Sequence, residues 1–482
     1  MILTWMMPVH RAKRGRGDAG TGAAFAEAPA KQQFSRWFIR FAVLILTFNT
    51  VPARALDLMD SYLAAQNHDS ILASAHAAHT GGIEVVEQAK AHLGTAVQVS
   101  ASASLLDTHL TGLPRTIGYT KQELLSLNQP LYHRADWIAL DQAHARVTGL
   151  DSQLVGAEQD LVVRVAQAYF NILLAQDMLQ ATLEEEKSIG QQLALSKRSY
   201  EVGTVAITDV TDAQARYDVS VAEEAQDRGN LEIARRAFEL LTGVSPESLA
   251  GVSTGAWLRT PQPDNLQYWI SAAMSRSPAV VQAAATLDVQ QKEVDHARAA
   301  RYPTFDLVSS VSKQSYNQAD LNVLGTGGRT SEIGIQVSLT IWDGGMINSN
   351  VRQATAGADQ AIEDLQTSRN VAVQNARQSY IGVSSTVSQV HAYEQAVASG
   401  RVSLDGALRG LEAGTRTAVD VLNARQLLFQ TLRQLAAARY SVVLYMLQLK
   451  SAVGELSARD LDGLTSASAP PGLFDSEPPI PR

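Results

Sequence analysis

The chain has 482 residues, a formal net charge of −8, a mean hydropathy of −0.07 and only 18% charged residues. It holds no cysteine, which excludes disulfides, zinc–thiolate sites, thiol nucleophiles and lipid attachment at an N-terminal cysteine. The acidic balance does not suit a nucleic-acid partner.

Residues 1–55 carry eight Lys or Arg and two Asp or Glu. Basic Lys31, Arg36 and Arg40 precede the apolar run Phe41-Ala-Val-Leu-Ile-Leu-Thr-Phe48, and Ala53-Arg-Ala55 follows it. This three-part pattern predicts a secretory signal peptide over 1–55. The alternative, a membrane anchor, asks for ~20 apolar residues, more than the run supplies. The lead before residue 31 is long for such a peptide, which fits a start codon placed too early. Removing 1–55 takes the charge from −8 to −14.

Next comes a first repeat, 56–243: a helix over 57–94, strands at about 96–106 and 122–132, a helix from about 134 to 202, a tip at 203–208, and a return helix closed by Gly243. At 1.5 Å per residue the helix before the tip is ~100 Å long, more than a globular core needs. A Pro- and Gly-rich linker, 244–264, leads to a second repeat over 265–455. This has a helix over 265–302, strands at about 304–313 and 331–342, and a hairpin with its tip at 414–419. The Pro-rich residues 456–482 read as a partly disordered tail. The repeat itself is explicit: Glu201-Val-Gly-Thr-Val-Ala-Ile-Thr-Asp-Val210 returns 211 residues later as Glu412-Ala-Gly-Thr-Arg-Thr-Ala-Val-Asp-Val421, and Gly454 follows Gly243 at the same offset.

The predicted class is α+β, mostly α: two coiled-coil helical hairpins and four strands per chain. In the strands Val97, Val99, Ala101, Ala103 and Leu105 alternate with small polar residues, as do Ile333, Ile335, Val337, Leu339 and Ile341. Weaker versions hold Leu125, Leu127 and Leu131, and Phe305, Leu307 and Val311. A soluble sheet packed on helices and a membrane barrel both fit this pattern. Four strands cannot close a barrel, and open edges are intolerable in lipid, so a membrane role requires several copies of the chain.

The repeated turn, the junction Leu339-Thr-Ile-Trp-Asp-Gly-Gly-Met-Ile-Asn-Ser-Asn-Val-Arg-Gln353 and the run Gly414-Thr-Arg-Thr-Ala-Val-Asp-Val-Leu422 resemble the TolC family of outer-membrane efflux and type I secretion channels. Val205-Ala-Ile-Thr-Asp-Val210, Ala438-Arg-Tyr440 and Leu449-Lys-Ser-Ala-Val-Gly454 extend the likeness, which runs from about residue 56 to 462. The resemblance implies a homotrimer in the outer membrane of a Gram-negative bacterium, with a twelve-stranded barrel and an α-helical tunnel through the periplasm. Such a channel-tunnel is a passive, gated exit for a tripartite efflux pump or a type I secretion system. Its implied partners are outer-membrane lipid, a periplasmic adaptor (membrane fusion) protein and an inner-membrane ABC or RND-type transporter. The cargo, drugs or secreted protein, stays open. The missing cysteine points to the non-lipidated branch.

By the same resemblance Arg416 pairs with Thr208 and Asp209 as a gate latch, and Asp420 and Asn423 line the pore entrance. Gly203, Thr204, Gly414 and Thr415 form the tips that meet the adaptor. The sequence departs from the family at Asn423, where a second aspartate is usual, and at Leu411, where the latch has a tyrosine. The plain alternatives are that Asp209 and Asp420 cap their helices and that Arg416 is solvated.

Other motifs point to no chemistry. Gly251-Val-Ser-Thr-Gly255 matches a hydrolase nucleophile elbow but lies in the linker without the strand and helix that motif needs. His76 and His79 lack further metal ligands nearby, Gly325-Thr-Gly-Gly-Arg-Thr330 lacks dinucleotide-site spacing, and Glu184-Glu-Glu-Lys187 reads as a solvated helix face. No enzyme, metal or cofactor is expected. An exported coiled-coil structural or adhesive protein without a pore is the alternative function.

Overall fold

The computed structural model describes residues 55–109, 111–112, 115–246, 248–252, 255, 260–317 and 327–466. The signal-peptide segment before residue 55, the loop residues 318–326 and the end of the expected tail, 467–482, lie outside the described residues.

The described chain opens with α1 (Leu58–His68) and α2 (Ser70–His92). The sequence predicts one helix over 57–94; the structure breaks it at Asp69, which takes extended backbone and accepts a hydrogen bond from the Leu72 amide as the cap of α2. Strands β1 (Ala96–Thr108) and β2 (Thr116–Tyr132) follow, then the 68-residue α3 (Arg134–Glu201) and its return helix α4 (Ile207–Thr242). After the short β3 (Gly251–Val252), the second repeat supplies α5 (Leu266–Arg276) and α6 (Pro278–Ala299). Here too the expected single helix, 265–302, is two. Pro278 has no N–H to bond back into α5, so it starts α6 instead. Strands β4 (Thr304–Asn317) and β5 (Gly327–Ser338), the 67-residue α7 (Met346–Glu412) and α8 (Ala418–Ala452) complete the repeat.

The four long strands form one antiparallel sheet in the order β1-β2-β4-β5, so the two repeats meet at its centre and β1 and β5 are its edges. Residues opposite one another in an antiparallel ladder share a face. Val99 lies opposite Leu125, which lies opposite Val311, while Leu307 faces Ile335 and Phe305 faces Val337. The apolar positions of all four strands therefore fall on one face, and Gln98, Ser126, Ser310 and Glu332 form a row on the other. The apolar face is bare in one protomer: Val99 is 77% and Ile335 67% exposed.

Strand lengths differ from expectation at both ends. β2 starts at Thr116 rather than near 122, because Ile117, Tyr119 and Lys121 continue the ladder without a clean apolar pattern. β5 stops at Ser338 rather than 342: its partner Thr304 follows Pro303, which offers no donor, so Leu339 and Ile341 pass beyond the sheet.

The main core sits where both hairpins meet around mid-helix. Tyr169, Phe170, Phe238 and Tyr440 pack ring on ring there, with Phe170 and Tyr440 stacked at 5.9 Å. The Tyr169 hydroxyl lies 2.6 Å from the Ala250 carbonyl, tying the linker to this core, and Tyr440 donates to Asp177 at 2.7 Å. Part of the expected tail belongs to the same waist. Leu456, Leu461 and Leu464 are buried, a 3₁₀ turn spans Ala458–Leu461, and β6 (Thr465–Ser466) pairs with β3. The linker thus contains a strand, β3, which pairs with β6; Ser253 and Thr254 of the elbow-like motif lie outside the described residues. Among the described residues no helix is long and apolar enough to cross a membrane.

Candidate functional site: the hairpin tips

Both tips use the same turn. At the first, Gly203 adopts φ 80°, and the amide and hydroxyl of Thr204 both donate to the Ser199 carbonyl, at 2.8 and 2.9 Å. At the second, Gly414 adopts φ 73°, and the amide and hydroxyl of Thr415 donate to Gly410 at 2.8 and 3.1 Å. A left-handed glycine followed by a threonine that satisfies carbonyls of the last turn is a C-cap, and it explains why Gly-Thr recurs.

The entries to the return helices differ. At α8, Thr417 and Asp420 form a capping box: the Thr417 amide donates to the Asp420 carboxylate at 2.8 Å, and the Asp420 amide to the Thr417 hydroxyl at 3.2 Å. These bonds, with help from Arg416, hold the Asp420 carboxyl below its ordinary range. The α4 start has Ala206 at the cap position and no side-chain cap bond, so Asp209 sits three residues into the helix without closing it.

Of the residues named for the latch, one protomer brings none of the expected pairs together. Arg416 reaches Asp420 of its own helix, Nη1 to Oδ1 at 4.0 Å. Among the described residues no hydrogen bond or ion pair joins Arg416 to Thr208 or Asp209; the Thr208 carbonyl accepts from the Thr211 hydroxyl. Asn423, expected at the entrance, is bonded to the other hairpin. Its Oδ1 accepts from Arg216 Nη2 at 2.9 Å, and Gln426 Oε1 accepts from Arg216 Nη1 at 2.9 Å.

Further up, the hairpins are joined by groups the sequence reading missed. Arg433 on α8 donates to Glu185 at 2.5 Å and to Thr182 at 3.0 Å, both on α3, and lies 3.9 Å from Glu223 on α4. Glu185 is therefore a buried partner in an inter-hairpin ion pair rather than part of a solvated face; burial raises its pKa against the pull of Arg433. Arg425, also buried, donates to the Ser188 carbonyl at 2.7 Å. Only a cation four or so turns from the tip, repeated on the α8 face that meets α3, hinted at these links. Of the two dismissed histidines, His79 meets Asp151 at 2.7 Å across α2 and α3. Among the described residues no group of three metal-ligating side chains assembles.

The profile for outer membrane efflux proteins matches residues 61–244 and 269–455, which are the two repeats. The outer membrane protein TolC of Escherichia coli K12 is 32% identical over 366 residues, 74% of each chain. The chain belongs to the outer membrane efflux protein family. It is an outer-membrane channel-tunnel of the efflux and secretion kind, with its helical hairpins on the periplasmic side, and not an enzyme. The alkaline protease secretion protein AprF of Pseudomonas aeruginosa is 28% identical over 85% of this chain and 87% of its own. A crystal structure of CusC, described by its folding and transmembrane channel formation, superposes with a TM-score of 0.72 over 83% of this chain and 93% of its own. At 19% identity that likeness concerns the fold, and the outer membrane efflux protein fold accounts for the four-stranded sheet joined to two long hairpins.

Proposed function

We propose that three copies of this efflux-family chain assemble into one duct, each supplying four staves to a twelve-stranded barrel and two hairpins to a periplasmic tunnel. The observation that carries this is the sheet: its apolar residues occupy a single exposed face, and among the described residues the outer edges of β1 and β5 are unpaired. Lipid covers the face, and β5 of one copy pairing with β1 of the next removes both edges. The tunnel end carries the gate. Arg416 latches onto Thr208 and Asp209 when the copies come together, giving up its 4.0 Å contact with Asp420 for a shorter charge-assisted bond. Asp420, held ionised by its capping bonds, then makes the entrance ring, with Asn423 supplying no charge. Gly203, Thr204, Gly414 and Thr415 present the tips to a periplasmic adaptor, and an inner-membrane ABC or RND-type transporter supplies the energy. The passive duct itself needs no cofactor.

Recording from planar bilayers tests this. Arg416→Ser is expected to raise open probability or conductance over the parent, and Asp420→Ala to lower the preference for cations. A parent that inserts without forming conducting units contradicts the duct, and an Arg416→Ser channel indistinguishable from the parent contradicts the latch.

A further inference from the structure

Between α3, α4 and α8, just above the tips, lies a cleft of about 440 Å³, lined by Asp212, Val219 and Glu223 of α4 and by Leu422 and Arg425 of α8. Helices α4 and α8 do not close on each other across it. They are bridged by guanidinium groups at its two ends, Arg433 toward Glu223 at the waist side and Arg216 toward Asn423 and Gln426 at the tip side. Asn423 and Gln426 are three residues apart and share one helix face, so the planar fork of Arg216 bonds both at 2.9 Å. Both acceptors are neutral amides on an exposed surface. The bonds carry charge on the donor side only and lie open to water, so they are weaker than a guanidinium–carboxylate pair, which suits a contact that has to be broken and remade.

We propose that Arg216 is a second gate clamp, made inside each protomer between the return helices of the two hairpins, and that it places a cation beside Asp420 so that the tunnel entrance is charge-balanced. This rests on the reading of Asp420 and Asn423 as entrance-lining residues. The Asn423 position is central to it. An aspartate there would add a second carboxylate per chain, whereas asparagine leaves one carboxylate and brings one guanidinium within 2.9 Å. The clamp opposes separation of α4 from α8, the motion that widening the entrance by one hairpin alone requires. It differs from the Arg416 latch in its partners and in being complete within one copy of the chain.

The test uses the full-length assembled protein in planar bilayers, with Arg216→Gln, Arg216→Lys and Asn423→Asp beside Arg416→Ser. Loss of two exposed guanidinium-to-amide hydrogen bonds predicts an open-to-closed ratio about two- to ten-fold higher for Arg216→Gln. It also predicts a reversal potential shifted toward cation selectivity, a readout that a purely structural role would not move. Arg216→Lys keeps the charge and one contact, so it retains the parent's selectivity and opens less than Arg216→Gln. Asn423→Asp turns the contact into a guanidinium–carboxylate ion pair and lowers the open-to-closed ratio. Parent-like conductance and selectivity in Arg216→Gln, with Arg416→Ser still opening the channel, overturns the clamp and leaves the duct standing. If neither the parent nor Arg416→Ser conducts, the duct reading fails. Hydrogen exchange over residues 207–220 then decides the clamp: faster exchange in Arg216→Gln supports it, and unchanged exchange overturns it.

Discussion

The waist and the tips of the hairpins are built from the same helices and hold together by different means. At the waist Tyr169, Phe170, Phe238 and Tyr440 are fully enclosed, the Tyr440–Asp177 bond is buried with them, and nearby a half-buried Arg164 guanidinium sits on both oxygens of Asp69 at 2.9 and 2.8 Å. Near the tips a small enclosed cluster holds Ile189, Leu193, Ala213 and Leu422, and beside it Arg216 makes an exposed fork to two neutral acceptors. Aromatic burial gives several kcal/mol that no docking event can repay, whereas exposed polar bonds are worth little each and are readily exchanged. A long coiled coil anchored at one level and lightly tied at another can move its free ends without unfolding. That division of labour is what a gated duct needs.

Substitutions at the two levels should therefore separate stability from conductance. Phe238→Ala is expected to cost ~3–5 kcal/mol by leaving a cavity in the enclosed ring cluster. Urea unfolding reads that loss, and the conductance of channels that do assemble should stay at the parent's level. Tyr440→Phe takes away the donor that faces buried Asp177 and should cost ~1–3 kcal/mol in the same assay.

The acid limb offers a smaller effect. Hydrogen bonds from Arg164 hold the Asp69 carboxyl below its ordinary value, against the opposing effect of burial. A carboxyl depressed in the folded state contributes stability that is complete above its unfolded pKa of about 3.9 and disappears as the pH falls through the folded value. Urea midpoints measured from pH 6 downward should drop in that window, and Asp69→Asn should flatten the drop while lowering the midpoint at neutral pH. A parallel profile in the two proteins would show that this pair does not set acid sensitivity. The smallest expected effect is at the first tip. Ala206→Ser supplies the cap that α4 lacks, should add ~0.5–1 kcal/mol of local stability, and should slow hydrogen exchange at 207–210 only.

Much of this molecule is legible in its sequence because it is repetitive and long-period. The alternation around Val99 and Ile335 forces one face per strand, and the paired register of β1, β2, β4 and β5 places all of it together. The two Gly-Thr turns fix where the long helices end, which the structure places at Glu201 and Glu412. What escapes the reading depends on contacts between distant segments with no period. Asp69 reads as one polar residue in a helical stretch until Arg164 and the Leu72 amide claim it. Thr465 lies in a Pro-rich tail until β3 pairs with it. Arg216 belongs to no motif, and its partners stand 207 and 210 residues away. The Pro278 break was signalled locally, since proline cannot continue the preceding helix; helical periodicity on both sides masks it.

The central claim is that one chain leaves its sheet edges and apolar face uncovered and must close them with identical copies. Analytical ultracentrifugation of the purified protein in mild detergent measures this directly. The account predicts a single species of three chains that persists on dilution; a stable, monodisperse single chain with β1 and β5 amides protected from exchange would contradict it.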